Sequence, residues 1–265
     1  MSTIAKALNL LDLFTPARPA IGLSDVQRLA GRDKATVHRH LVALSDAGFL
    51  EQDPATRAYR LGHALTRLAA MRAQTVPAGD MVSSLVEDIS RQAGELVHLS
   101  QLRGFDLVSI SHAEVHDHPV RVTFDAAGLP PLFNTSSGKV ILAYSAQPFV
   151  SAAMAEHQVR SGAPLQNDAV LRDIEAVRAQ GYAATRDALE QGVSSVAIPV
   201  FDAQGGVMGA CSVAYPTARG HDPKEIAALL IARGPDLTAR LGGIVPTAVA
   251  DIWNERHAVP ERRQP

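Results

Sequence analysis

Apolar residues recur at helical spacing from the start of the chain. Ile4, Ala7, Leu8 and Leu11 fall three or four apart, which predicts an opening helix packed behind whatever follows. Residues 15–21, with Pro16 and Pro19, break the period and read as a loop. Val26, Leu29 and Ala30 give a short second helix one apolar side, with Ser24 as its cap, Gln27 as capping-box partner, and Gly31 as its stop. Asp33 then caps a third helix, whose Val37, Leu41 and Leu44 form an inward face at i, i+4 and i+7. Ala47 and Gly48 end it. Residues 49–52 can pair with residues 58–61 across the turn from Asp53 to Arg57, a hairpin with Arg57 at or near its tip.

Beyond Gly62 the pattern returns to helical, with Leu61, Leu65 and Leu68 on one face and Pro77 as the break. Residues 63–76 are a linker helix between two domains, a reading compatible with a last packing helix of the first. The chain thus divides into residues 1–62, residues 63–76 and residues 77–265. The last part opens with an amphipathic helix carrying Met81, Val82, Leu85, Val86 and Ile89 and ending near Gly94. Strand patterns follow at residues 96–102, 105–111 and 120–124, then an irregular loop from Gly128 to Pro131 and a helix over 139–144 introduced by Thr135-Ser136-Ser137-Gly138. Helices are expected at about 149–157 and 168–180. The apolar strands 196–201 and 207–214 flank a turn at 203–206 as a hairpin, and a long helix begins at Asp222 or Pro223. The tail after His257 reads as disordered. Strands joined by hairpins, set between helices without βαβ alternation, predict an α+β domain with an antiparallel sheet.

The two short helices and hairpin at residues 24–61 have the pattern of a winged helix-turn-helix. The third helix leaves Lys34, Ala35, Thr36, His38 and Arg39 outside. Cations there suit phosphates, and short side chains at the helix start suit base edges in the major groove. A net charge of −2 fits poorly until it is divided: residues 1–75 hold ten Lys/Arg against six Asp/Glu, and the remainder carries the acidic excess. Because the excess is modest and affinity follows the number of phosphates neutralised, a homodimer or a dimer of dimers on a pseudo-palindromic double-stranded DNA operator is expected. One cysteine, Cys211, in an apolar strand, leaves no internal disulfide framework and fits a reducing cytoplasm. No apolar run approaches the roughly 20 residues of a membrane span, so no membrane partner is expected.

Three groups of residues bear on chemistry. Ser136-Ser137-Gly138-Lys139 matches S-x-x-K, the nucleophile motif of penicillin-recognising acyl enzymes, without the companion S-D-N or K-T-G. It supports, alone, an alternative reading as a small-molecule acyl-transfer enzyme with an appended interaction domain. Otherwise the hydroxyls at this helix start present N–H and O–H groups to an anion, or Thr135 or Ser136 simply caps the helix. His112, His116 and His118 with Glu114 and Asp117 raise the question of a metal, but Pro119 and the lack of a third ligand in register favour a solvated loop. Asp187 and Glu190 have no histidine or nucleophile beside them. No cofactor and no metal are expected.

The runs KALNLLDLF, LSDVQRLAG, TVHRHLVALSDAGFL and YRLG between Ile4 and Gly62 resemble the winged helix of IclR-type bacterial transcription regulators. The likeness continues in TSSGKVILA, RAQGYA and GVSSVAIPVFD, so it spans nearly the whole chain. The resemblance implies a GAF-like effector-binding domain, DNA contacts at Lys34, Ala35, Thr36, His38, Arg39 and Arg57, and regulation of transcription by a small organic acid. By the same resemblance the effector wall would be Val122, Pro130, Ser136, Ser137, Thr185, Val193, Ser195, Ser212 and Ala214. Hydroxyls around aliphatic contacts suit a small carboxylate or hydroxy acid. Thr185 and Ala214 stand where glyoxylate-responsive relatives carry Asp and Ser, so the ligand is not inherited with the fold.

Overall fold

The computed structural model describes residues 3–15, 18–75, 78–123, 130–162 and 167–257. They form two compact units, Met1–Pro77 and Ala78–Pro265.

The first unit opens with α1 (Thr3–Leu8) and a single 3-10 turn, Leu11–Leu13. The expected inward face is corrected here: Ile4 is 73% and Leu8 44% exposed, and the residue driven into the core is Leu10. The helix ends before Leu10 and the following turn rotates that side chain inward, so the helical period that pairs Leu8 with Leu11 does not run through. Strand β1 (Ala20–Ile21) lies within residues expected to be loop; it pairs Ala20 with Arg60 and Ile21 with Tyr59. Helix α2 (Leu23–Ala30) begins two residues earlier than expected and is capped by Gly22, whose backbone oxygen accepts from Asp25 and Val26, with no side-chain cap. Ser24 lies inside the helix, which removes it from the capping position assigned to it. Gly31, at φ 61, stops α2.

Helix α3 (Lys34–Asp46) buries Val37, Leu41 and Leu44, as the spacing predicts, together with His40. Strands β2 (Leu50–Gln52) and β3 (Tyr59–Leu61) form the hairpin, with Leu50 opposite Leu61 and Gln52 opposite Tyr59. Leu10, Ile21, Val26, Val37, Leu41, Leu44, Leu50 and Tyr59 make one core. Helix α4 (His63–Thr75) closes the unit, with Leu68 and Met71 exposed along it; Leu61, expected on the same helical face, ends β3 instead.

The second unit starts with α5 (Ala78–Ala93) and the strands β4 (Leu96–Arg103) and β5 (Asp106–Ala113). Residues 120–123 are not a strand, which corrects the expected strand at 120–124: Val120 is 71% exposed after Pro119, so no buried face rewards pairing. Phe124 lies outside the described residues, as do Gly128, Leu129 and the tail after His257. Helices α6 (Ser136–Tyr144), α7 (Gln147–Ser161) and α8 (Asn167–Gln180) follow, then β6 (Ala183–Arg186), β7 (Val193–Phe201) and β8 (Val207–Pro216). The five strands form one antiparallel sheet in the order β5-β4-β8-β7-β6.

Strand alternation sorts the sheet into two faces. Val97, Leu99, Val196, Ile198, Val200, Cys211, Val213 and Tyr215 join a core with α5 and with α9 (Pro223–Arg240), which Asp222 caps. Ala183, Ala197 and Ala210 face Val140 and Ile141 of α6. Small residues there let that helix lie close. The expected single C-terminal helix is broken at Gly242-Gly243, where a Cβ on Gly243 would overlap the backbone oxygen of Phe201. Helix α10 (Thr247–His257) then docks through Trp253, whose Nε1 donates to the backbone oxygen of Gly181 at 2.9 Å.

Candidate functional site

The recognition surface of the first unit is set by the start of α3. Asp33 accepts from the backbone N–H of Thr36 at 2.8 Å, and that bond holds its carboxyl below the usual carboxylate range. The first turn is therefore fixed, with Lys34, Ala35, His38 and Arg39 exposed and Thr36 half-buried. Arg39 Nη2 donates to Thr36 Oγ1 at 3.3 Å, so the two side chains are presented together. The turn of the wing is tied by Asp53, which accepts from the backbone N–H groups of Ala55 and Thr56 at 2.8 Å each. Arg57 follows at φ 60, and Gln52 Nε2 donates to its carbonyl at 2.9 Å. Arg28 is matched to Asp25 and Arg60 to Glu51, whereas Lys34 and Arg57 enter no ion pair among the described residues.

In the second unit Thr135, not Ser136, caps α6. Its Oγ1 accepts from the N–H of Gly138 at 3.0 Å and donates to the carbonyl of Pro131 at 2.8 Å. Ser136 is thereby released to reach the sheet, where its Oγ lies 2.8 Å from Ser195 Oγ. Ser195 Oγ is in turn 2.8 Å from Thr185 Oγ1. Three of the hydroxyls named from the sequence thus form one chain across α6, β7 and β6. Ser137, at the same helix start, is buried beside them in sequence. The N–H groups of Ser136 and Ser137 have no acceptor within the helix, as in any first turn, and carry the positive end of its dipole.

Ala214 sits directly opposite Ser195, Ser212 one step along on the same face, and Val193 two residues from Ser195 in β7. Ser212 Oγ donates to the carbonyl of His98 at 3.3 Å. Val122 and Pro130 lie on irregular stretches outside the sheet and α6, so the hydrogen-bonded cluster is built without them. The other half of the S-x-x-K motif points elsewhere: Lys139 Nζ pairs with Asp173 Oδ2 at 2.9 Å. An ammonium held by a carboxylate cannot take a proton from Ser136, so the motif lacks its base. His116 and His118 lie past the end of β5, and no group of three potential metal ligands occurs among the described residues.

One residue of this face was missed. His98 stands opposite Ser212 on one side and His112 on the other, so its side chain belongs to the same surface as Ser195 and Ala214. It is 9% exposed, and burial above all, reinforced by neighbouring His112, pushes its pKa down from 6.5 to about 4. The ring is neutral at physiological pH. The alternation Leu96, His98, Ser100 was legible, but nothing in the sequence told which face of β4 meets α6. The unfolded chain takes up this proton near pH 6.5 and the folded chain only near 4, so the stability dependent on His98 is complete above 6.5 and declines as pH falls from 6.5 to 4. Urea unfolding at pH 7 and pH 4.5 should show a larger acid loss for the wild type than for His98→Phe. Equal losses would place the titration elsewhere.

A capped recognition helix with a charged wing, joined in one chain to an α+β unit carrying a hydroxyl cluster, defines a DNA-binding regulator. Comparison with known proteins gives the family. The IclR helix-turn-helix domain matches residues 3–54, and the family described as bacterial transcriptional regulator IclR C-terminal matches residues 75–237. The chain belongs to the IclR family of bacterial transcription regulators, and it is a regulator rather than an enzyme. It is 27% identical to the HTH-type transcriptional regulator XynR of Escherichia coli over 84% of this chain and 89% of that protein. It also resembles the crystal structure of an IclR transcriptional regulator from a Silicibacter species, at 39% identity and a TM-score of 0.84, covering 94% of this chain and 99% of that one. The fold recurs in an IclR homologue from Microbacterium hydrocarbonoxydans complexed with 4-hydroxybenzoate, at 21% identity and a TM-score of 0.54, covering 91% and 99% of the two chains.

Proposed function

We propose that the protein binds a pseudo-palindromic operator as a homodimer or dimer of dimers, and that a small organic acid held in the second unit changes its operator affinity. On this reading Lys34, Ala35, Thr36 and His38 meet base edges in the major groove, while Arg39 and Arg57 supply charge to phosphates. Residues 1–62 read DNA, residues 63–76 link, and residues 77–265 bind the acid. As a reader of chromosomal DNA it works in the cytoplasm. The carboxylate is received by the N–H groups at the start of α6 and by Ser136, Ser137 and Ser195, with Thr185, Val193, Ser212, Ala214, Val122 and Pro130 around it.

The observation that carries the effector reading is the hydroxyl chain from Ser136 through Ser195 to Thr185, which offers donors at a helix start and no paired base. Such a site binds an anion without moving a proton. The complex of the Microbacterium homologue with 4-hydroxybenzoate is consistent with an acid ligand in this fold. A tenfold change in operator affinity requires only about 1.4 kcal/mol of preference for one arrangement of the DNA-reading units. Electrophoretic retardation of the DNA upstream of the protein's own and adjacent genes, with and without a panel of short acids, tests both parts. No retardation at low salt, with any acid, would remove the operator reading.

Arg57→Ala should weaken binding to specific and unrelated DNA about equally and reduce the salt slope by about one unit per copy bound. A changed operator preference at an unchanged slope would mean that the wing reads bases.

A further inference from the structure

We infer that His98 is a specificity-determining residue of the ligand site, hydrogen-bonding a neutral hydroxyl at the far end of an acid whose carboxylate lies at Ser136, Ser137 and Ser195. This deepens, and rests on, the reading of the second unit as a carboxylate-binding domain. The geometry comes from strand register. Ser195 of β7 is opposite Ala214 of β8, and Ala214 is opposite Leu96 of β4; His98 is two residues on from Leu96, opposite Ser212. Two strand spacings across and two residues along place the Cα atoms of Ser195 and His98 roughly 12 Å apart. Side chains on one face of a sheet project side by side, so Ser195 Oγ and the His98 ring are about as far apart as their Cα atoms, and a hydrogen bond of about 2.8 Å at each end leaves about 6 Å between the two ligand oxygens. Two- and three-carbon acids are too short to reach both. A ring-sized spacer fits, and between the two ends the sheet presents Ala214 and Ser212 of β8, with Leu96 of β4 beside them, as a floor for a planar group.

The chemistry of the far end follows from the neutral ring. A neutral imidazole can accept from or donate to a hydroxyl. It offers no charge to balance a second carboxylate, whose burial there would be costly. The ligand class is therefore a ring-spaced hydroxy acid rather than a short keto acid or a dicarboxylate.

Calorimetric titration of the full-length protein with benzoate, 4-hydroxybenzoate, terephthalate and pyruvate tests this. The wild type should bind 4-hydroxybenzoate at least tenfold more tightly than benzoate and more tightly than the other two acids. In His98→Phe the ratio of 4-hydroxybenzoate to benzoate affinity should fall to about threefold or less, while His98→Gln, which keeps a hydrogen-bonding group, should retain more of it. Equal affinities for benzoate and 4-hydroxybenzoate in the wild type overturn the assignment to His98 without touching the carboxylate site, and need no variant to be decisive. A ratio unchanged in His98→Phe does the same. No binding of any of the four acids by the wild type overturns the carboxylate-binding reading itself, and this inference with it.

Discussion

Replacing Arg219 by Met is expected to destabilise the second unit by about 3–5 kcal/mol, because it strands a buried carboxylate. The Glu95 side chain is 1% exposed, and its Oε1 is met by Arg219 Nε at 3.1 Å and by His221 Nε2 at 2.9 Å. Arg219 is itself largely covered and donates through Nη2 to the carbonyl of Val120 at 2.8 Å. One guanidinium thus satisfies a buried charge at the start of β4 and holds the irregular segment that carries Val122. Met fills the space of the aliphatic stem but offers neither bond, and only His221 remains beside the carboxylate. Urea unfolding of Arg219→Met, Glu95→Gln and the double variant at pH 7 gives the coupling directly. The double variant should be more stable than Arg219→Met alone, since the uncompensated charge has gone. A cost below about 1 kcal/mol for Arg219→Met would mean that water reaches Glu95 and that the pair does not organise this corner.

How much of this was written in the sequence depends on the length of the signal. Helix α3 was legible because a cap, a turn glycine and three apolar positions in register agree, and each of Asp33, Gly31, Val37, Leu41 and Leu44 does what its spacing predicts. The β7–β8 hairpin was legible because it is long and apolar. Strand β1 was not: two residues cannot alternate, and Ala20 and Ile21 become a strand only because β3 offers an open edge. Strand β6 was missed for the same reason, as its four residues show no pattern until Ser195 and Ala197 lie opposite Thr185 and Ala183. At residues 120–123 the error ran the other way, with local preference unsupported by any partner strand among the described residues.

The candidate site divides similarly. The hydroxyl residues stood out in the sequence, and family resemblance brought them to one wall. Which hydroxyl caps α6 and which faces the sheet is a matter of one residue, and here Thr135 takes the cap and frees Ser136. His98 carries no motif; its role depends on which face of β4 lies under α6, a tertiary fact. The order of five strands is likewise not contained in the period of any one of them.

Gly138→Ala is expected to lower the stability of the second unit by about 3 kcal/mol and, with it, to abolish acid binding. Helix propensity argues the opposite, since Ala in a helix is favoured over Gly by about 1 kcal/mol. Packing decides the sign. A Cβ on Gly138 would overlap the carbonyl oxygen, carbonyl carbon and Cα of Leu132, all backbone atoms that cannot rotate away. Leu132 is buried in the same core as Val140, Ile141 and Ala143, so relief requires either that segment or the start of α6 to move. Overpacking against a fixed backbone costs typically about 1–3 kcal/mol and occasionally more, enough to outweigh the gain in propensity. Movement of α6 by even an ångström would stretch the 2.8 Å contact between Ser136 and Ser195 beyond hydrogen-bonding range, and would tilt the N–H groups of Ser136 and Ser137 away from the place proposed for the carboxylate. The variant should therefore lose its response to acids before it loses the fold. Urea unfolding at pH 7, paired with acid titration in the native baseline, separates the two effects. Stability at or above that of the wild type would show that α6 has room at Leu132 and that the glycine is kept for another reason.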